Sequence, residues 1–228
     1  MNIGNPQLCY LCNRPFDAVV KRTADHVPPK GCFAKPLPDN LITVPCCVEC
    51  NNGNSNDDEF FRTITSMGYN RGESGDNVWE KVKTRTMPSR RIKSQLDEML
   101  ASAFKIKDQN GNELIGMRYK SRPLNLMLIR ITRGLLTYFY PNIEHSSLEW
   151  HIIAVHQQLN QDAFATGAPS KLLYDSRGTK EEFRFWRGIA TDHVNAGIWM
   201  YLFHDSIFYI VTHQPRVKGI GHRLTAQH

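Results

Sequence analysis

The chain has no cysteine beyond position 50, no internal repeat and no low-complexity tract anywhere in its 228 residues. It also lacks an uninterrupted apolar run. The longest, within LNLMLIRITRGLLTYFY, is broken by Arg130 and Arg133, whereas a bilayer span needs about 20 consecutive apolar residues. The opening MNIGNPQLC has neither the basic nor the apolar region of a secretory signal. The expectation is a cytoplasmic protein with no membrane partner. Acidic residues are in short supply, 22 against 28 lysines and arginines, leaving a net charge of +6 that leans towards polyanionic partners. At 41% hydrophobic and 22% charged, the composition excludes a disordered chain and suits one large domain or two small ones.

What the chain does have is concentrated at its start. All six cysteines lie in the first fifty residues, and a chain that is not exported has little use for a disulfide framework. Four of them form Cys9-x-x-Cys12 and Cys47-x-x-Cys50, the spacing of a knuckle that turns two sulfurs towards one ion. Together they can supply four thiolates to a closed, structural zinc site. Cys46 blurs the register; Cys47 is preferred because only Cys47-x-x-Cys50 repeats the upstream spacing. Cys32 and Cys46 are then packing thiols. Reading all six as ordinary buried thiols would leave two matched pairs unexplained.

Between and after the knuckles the pattern is strand, strand, helix. DHV reads as a short strand ended by Pro28 and Pro29, since proline restricts its predecessor and donates no hydrogen bond. NLITVP is a second strand, and the chain turns helical from Val48, with a cap-like Ser55 and acids opening SNDDEFFRTITSM. GYNRGESGDN (68–77) is the candidate boundary. Two helical segments broken at Pro88 follow, then a hairpin turning at Asn110-Gly111. A helix carries Leu124, Met127, Leu128, Ile131, Leu135 and Tyr138 on one core face. LEWHIIAVH, EFRFWRGIA, GIWMYLF and IFYIVTH are strands, the last two joined across His204-Asp205-Ser206. The expected fold class is α+β: a zinc-stapled unit over 1–67, a linker and basic helical segment over 68–104, and an α+β domain with an antiparallel sheet over 105–228.

The run CYLC…ADHVPPK…DNLITVPCCVECNN resembles the HNH endonucleases, the ββα-metal or His-Me finger family, and within it the zinc-stapled, endonuclease VII-like type. CNNGNSNDDEFF also resembles the C-N-x-x-x-S-x-D-E run of bacterial HNH proteins. The resemblance covers about the first sixty-five residues and rests on the combination of elements in order. Two departures stand out. Asn40 lies two residues further from Cys47 than in the common pattern, and the final histidine of the family name is here Asn51.

The resemblance implies an N-terminal zinc-stapled ββα-metal module that hydrolyses phosphodiester bonds, most readily in double-stranded DNA, leaving 5′-phosphate and 3′-hydroxyl ends. It makes His26 the general base, Asp25 and Asn51 the ligands of one catalytic Mg²⁺ or Mn²⁺, Asn40 the residue that orders the loop and orients His26, and Cys9, Cys12, Cys47 and Cys50 the holders of structural Zn²⁺. The residue types suit that chemistry. Imidazole titrates near neutrality, with an ordinary pKa of about 6.5, and hard oxygen donors favour Mg²⁺ or Mn²⁺ over a second zinc. Because neighbours on a strand leave opposite faces, a twist or bulge is expected to separate Asp25 from His26.

Lys81, Lys83, Arg85, Arg90, Arg91 and Lys93 form a basic cluster that either neutralises nucleic-acid phosphates or is a solvated helix face. Arg130 and Arg133 either reach phosphate or pair with an internal acid. The histidines of the C-terminal half show no metal-ligand spacing, and the tryptophans there read as core. That half is open to three roles: setting specificity, binding a regulator, or forming a homodimer. Two other functions stay open beside the DNA endonuclease, a non-catalytic zinc knuckle that binds nucleic acid or protein, and a nuclease acting on RNA.

Overall fold

The computed structural model describes residues 7–53, 55–68, 71–86, 89–107, 111–118, 121–155, 172–178, 182–193 and 195–216. It is a mixed helix and sheet structure in which every sheet is antiparallel. Strands β1 (Arg22–Val27) and β2 (Ile42–Cys47) form a hairpin, followed directly by α1 (Val48–Gly53) and α2 (Ser55–Ser66). Helix α3 (Glu73–Lys81) runs on into a wider π turn over Val82–Thr86, and α4 (Arg90–Ala101) follows, capped by the Ser89 hydroxyl accepting from the Ile92 amide. Strands β3 (Phe104–Lys107) and β4 (Glu113–Gly116) pair as a second hairpin. Gly111 there has φ +82°, as a tight turn requires, while Asn110 lies outside the described residues.

Helix α5 (Ser121–Phe139) leads to the last sheet, of β5 (Leu148–Val155), β6 (Leu173–Arg177), β7 (Phe183–Ile189), β8 (Gly197–Phe203) and β9 (Ile207–Pro215), in the order β5-β9-β8-β7-β6. The turn joining β8 to β9 is tight. His204 and Asp205 both take positive φ, 52° and 55°, and the Ser206 amide closes on the Phe203 carbonyl at 3.0 Å. Histidine and aspartate enter this left-handed region more readily than most residues.

Helix α5 organises the molecule. The periodic residues Leu124, Met127, Leu128, Ile131 and Leu135 are buried as their spacing predicts, but so are Arg130, Thr132, Gly134 and Leu136. A helix expected to present one core face is covered on two sides. One side meets the five-stranded sheet: Thr132 Oγ1 and Tyr201 Oη lie 2.7 Å apart, and Phe183, Trp199 and Tyr201 share the core of Leu128 and Leu135. The other side meets the first hairpin. A β-carbon on Gly134 would come within 2.5 Å of Val27, and Arg130 contacts Asp25. Four residues of helix and two of strand both advance about 6 Å, so Arg130 and Gly134 sit in register over Asp25 and Val27. The same apolar core runs from Cys9 and Tyr10 through β1, β2 and α5 to Val211. The zinc-stapled unit and the C-terminal half expected from sequence therefore share one interior. A smaller cluster packs Phe60 and Ile64 of α2 on Ile92, Leu96 and Met99 of α4.

The glycine-rich stretch 68–77 carries the start of α3. Gly75 is buried there, where a β-carbon would lie 2.9 Å from that of His204. Strand β6, unmarked in the sequence, completes the sheet edge. Among the described residues, no helix is long and apolar enough to cross a membrane.

Candidate functional site

The two cysteine knuckles converge. Sγ atoms of Cys9, Cys12, Cys47 and Cys50 all lie within 4.8 Å of one another, with Cys12 and Cys47 at 3.9 Å. Four thiolates about 2.3 Å from a tetrahedral zinc stand about 3.8 Å apart, so the four sulfurs could hold a zinc ion with little adjustment. Local backbone prepares them. The Cys47 amide donates to Cys9 Sγ at 3.3 Å and the Cys50 amide to Cys47 Sγ at 3.4 Å, while Arg14 Nε donates to Cys12 Sγ at 3.3 Å. The first knuckle is tied to the hairpin by the Tyr10 amide donating to the Pro45 carbonyl at 3.1 Å.

Period-two alternation separates Cys46 from Cys47. Cys46 opposes Thr23 on the face shared by the Asp25–Val44 pair, and Cys47 opposes Arg22 on the other. Cys46 Sγ nonetheless comes within 3.9 Å of Cys9 Sγ. Negative charge falls on Cys9: the contact with Cys46, helped by backbone amides, pulls its thiol down to about 3 against the opposing effect of burial. The same contact and burial push Cys46 up, so it keeps its proton. Cys32 is buried, and its thiol is raised to about 12 by that burial.

Asp25 faces the interior. Its Oδ2 accepts from Tyr10 Oη at 2.6 Å and from Arg130 Nη2 and Nε at 2.7 and 3.1 Å. Arg130, itself 5% exposed, also donates from Nη1 to Asp58 Oδ1 at 2.7 Å. Burial raises Asp58 to about 6, with Arg130 pulling the other way. The open reading of Arg130 is thereby decided for the internal pair. Arg133 also turns inward, donating to the Tyr10 and Leu11 carbonyls at 3.1 and 2.7 Å.

The β1–β2 register is unbroken, Asp25 opposite Val44 and His26 opposite Thr43. The expected bulge is absent: regular alternation alone sends the two side chains to opposite faces. His26 is half-buried, and no described group hydrogen-bonds its imidazole. Desolvation lowers its pKa, Lys30 adds to that, and Asp25 opposes it. Asn51, on α1, donates from Nδ2 to the Ala24 carbonyl at 3.4 Å, which sets it against β1 beside Asp25. Asn51 Oδ1 and Asp25 Oδ1 carry no hydrogen bond to a described residue. Asn40 is engaged elsewhere: its Oδ1 accepts from the Gly178 amide at 2.8 Å, tying the loop before β2 to the turn after β6.

No protein-family model, curated protein or solved structure matches this chain. The site is therefore read from its own geometry.

The basic cluster divides in two. Lys83 pairs with Glu80 at 2.5 Å and Arg91 with Glu59 at 2.6 Å. Lys81, Arg85, Arg90 and Lys93 have no acid partner among the described residues. Tyr10 and Asp58 are the side chains whose place at this site the sequence left unmarked. Tyr10 sits inside the first C-x-x-C, and Asp58 falls in the acidic run after the second.

Proposed function

We propose that the chain is a metal-dependent endonuclease of the HNH type that hydrolyses phosphodiester bonds in DNA. The observation that carries this reading is a convergence. A four-cysteine cluster staples together a hairpin bearing Asp25 and His26 and a following helix bearing Asn51, whose amide lies 3.4 Å from the carbonyl next to Asp25. A purely structural knuckle has no need of hard oxygen donors and an unpartnered imidazole at its centre.

Residues and metal suit each other in kind. Asp25 Oδ1 and Asn51 Oδ1 are uncommitted hard donors of the sort Mg²⁺ and Mn²⁺ prefer. Two carboxylates, Asp25 and Asp58, face one guanidinium, Arg130, so the network carries about one negative charge towards a cation. A divalent cation there would neutralise charge growing on the phosphate and on the leaving oxygen. His26, kept neutral near pH 7 by partial burial, takes a proton from the attacking water. Arg130 and Tyr10 hold Asp25 in one orientation, and the zinc staple sets its distance from Asn51. Asn40 acts at longer range, fixing the loop that leads into β2.

The test is cleavage of supercoiled plasmid by zinc-loaded protein, wild type against His26→Ala, with Mg²⁺, Mn²⁺ or EDTA, and a folded RNA in parallel. Removing a general base costs about 10²- to 10⁴-fold; we expect nicking by wild type with either metal, at least a hundredfold less by the variant, and none in EDTA. Equal cutting by both proteins would remove His26 from the mechanism, and cutting of RNA alone would reassign the substrate.

A second reading has its own observation. Asp25 is buried and its Oδ2 already serves Arg130 and Tyr10, as in a structural ion pair. On that reading the chain is a non-catalytic zinc module that binds nucleic acid or protein, needs zinc, and is indifferent to Mg²⁺.

A further inference from the structure

Immediately beyond His26, the chain turns through Pro28, Pro29, Lys30 and Gly31, and three elements bring cations together there. The Arg62 guanidinium, from α2, lies over Gly31: a β-carbon at Gly31 would be 3.1 Å from Nη1. Its Nη2 donates to Thr86 Oγ1 at 2.6 Å, at the end of the π turn that carries Arg85, while its Nε is buried without a partner. Lys81, at the end of α3, is held low first by burial and then by Arg62, Lys35 and Arg85, all cations. Lys30 reaches far enough to act on His26 itself. None of these five side chains forms an ion pair with a described residue.

Uncompensated cations repel one another, so such a grouping costs stability unless an anion sits among them. The contrast with the neighbouring Lys83 and Arg91, each neutralised by a glutamate at 2.5 and 2.6 Å, makes the gap specific. We propose that Lys35, Arg62, Lys81 and Arg85 form a phosphate-binding subsite that grips the polynucleotide backbone beside His26. This deepens the endonuclease reading and rests on it for the identity of the ligand, a phosphodiester chain. The wider π turn has a role in this scheme: it swings Arg85 and the Thr86 hydroxyl towards Arg62, so the guanidinium is fixed by a neutral partner and its charge stays free for phosphate.

The experiment separates binding from cutting. Full-length, zinc-loaded protein carrying His26→Ala is titrated with a fluorescein-labelled DNA duplex in EDTA, by fluorescence anisotropy, across a series of salt concentrations. Each phosphate contact contributes about 0.9 to the slope of log affinity against log salt. Arg62→Gln with Lys81→Gln should weaken binding at least tenfold and lower that slope by about two. Lys35→Gln with Arg85→Gln, at two exposed positions, should do the same and excludes unfolding as the cause. Lys83→Gln with Arg91→Gln should leave the slope unchanged. The subsite is overturned if the first two pairs keep the parental slope, if the third lowers it as much, or if the parent binds no nucleic acid. If the slope falls as expected while wild-type protein never cuts, the subsite stands and the nuclease reading fails.

Discussion

Arg130 is the residue on which the two halves of the molecule depend. An arginine in an apolar helix has two outlets, water or a buried acid, and Arg130 lies on a buried side of helix α5. The guanidinium instead forks between Asp25 and Asp58, with bonds of 2.7 Å to each, a geometry lysine cannot copy. Removing one member of a buried ion pair costs more than the pair itself is worth, because the surviving charge stays desolvated. Arg130→Met should therefore destabilise the protein by about 3–5 kcal/mol in urea unfolding. Adding Asp25→Asn should recover part of that loss, since one of the two orphaned charges is gone. A cost for Arg130→Met below about 1 kcal/mol, the range of an exposed ion pair, would show that the network is solvated. Spacing alone could not choose between phosphate and an acid for this arginine. The choice depends on which strand lies under the helix, and that is a tertiary fact.

At the scale of elements, the first hairpin and its helix were the most legible part. Two prolines close one strand, a β-branched run marks the next, and the repeated C-x-x-C spacing fixes where they meet. The order of residues in β2 also decides which cysteine joins the four-sulfur cluster. Cys46 opposes Thr23 on the core face, and Cys47 opposes Arg22 on the other. Cys47→Ala should lose stoichiometric zinc and the cooperative unfolding of the N-terminal unit, whereas Cys46→Ala should keep one zinc per chain. Zinc content of the purified variants by elemental analysis decides this, and equal loss in both would make Cys46 a ligand. Other elements were less legible for local reasons. Strand β6, LYDSR, has no β-branched residue and little alternation, and it is held as an edge by pairing with β7. Helix α3 begins inside a run that glycine and asparagine mark as a break. Gly75 is tolerated there because His204 passes too close for a side chain.

For the whole molecule, the single core that joins hairpin, α5 and sheet also buries histidines, and this couples stability to pH. His204 is fully buried at the β8–β9 turn, with Glu182 and Arg71 as its charged neighbours and neither ring nitrogen hydrogen-bonded. His213 Nδ1 accepts from Trp199 Nε1 at 3.3 Å, which puts its single proton on Nε2. Burial pulls both from 6.5 to about 4. A folded-state pKa below the unfolded one means the unfolded chain binds more protons between those values. Stability is then complete above about pH 6.5 and falls as the pH drops towards 4, each histidine withdrawing about 2 kcal/mol by pH 5. His204→Asn isolates one of them, since asparagine accepts the positive φ of that turn. The variant should be less stable than wild type near pH 7, having lost packing. Its further loss between about pH 7 and pH 5 should be smaller than that of wild type by about 2 kcal/mol, measured by urea unfolding at both values. Any zinc released at low pH would leave both proteins alike, so it cancels in that difference. An identical acid loss in the two would mean that His204 binds its proton as readily in the folded chain as in the unfolded one, reaching water through an opening of the turn.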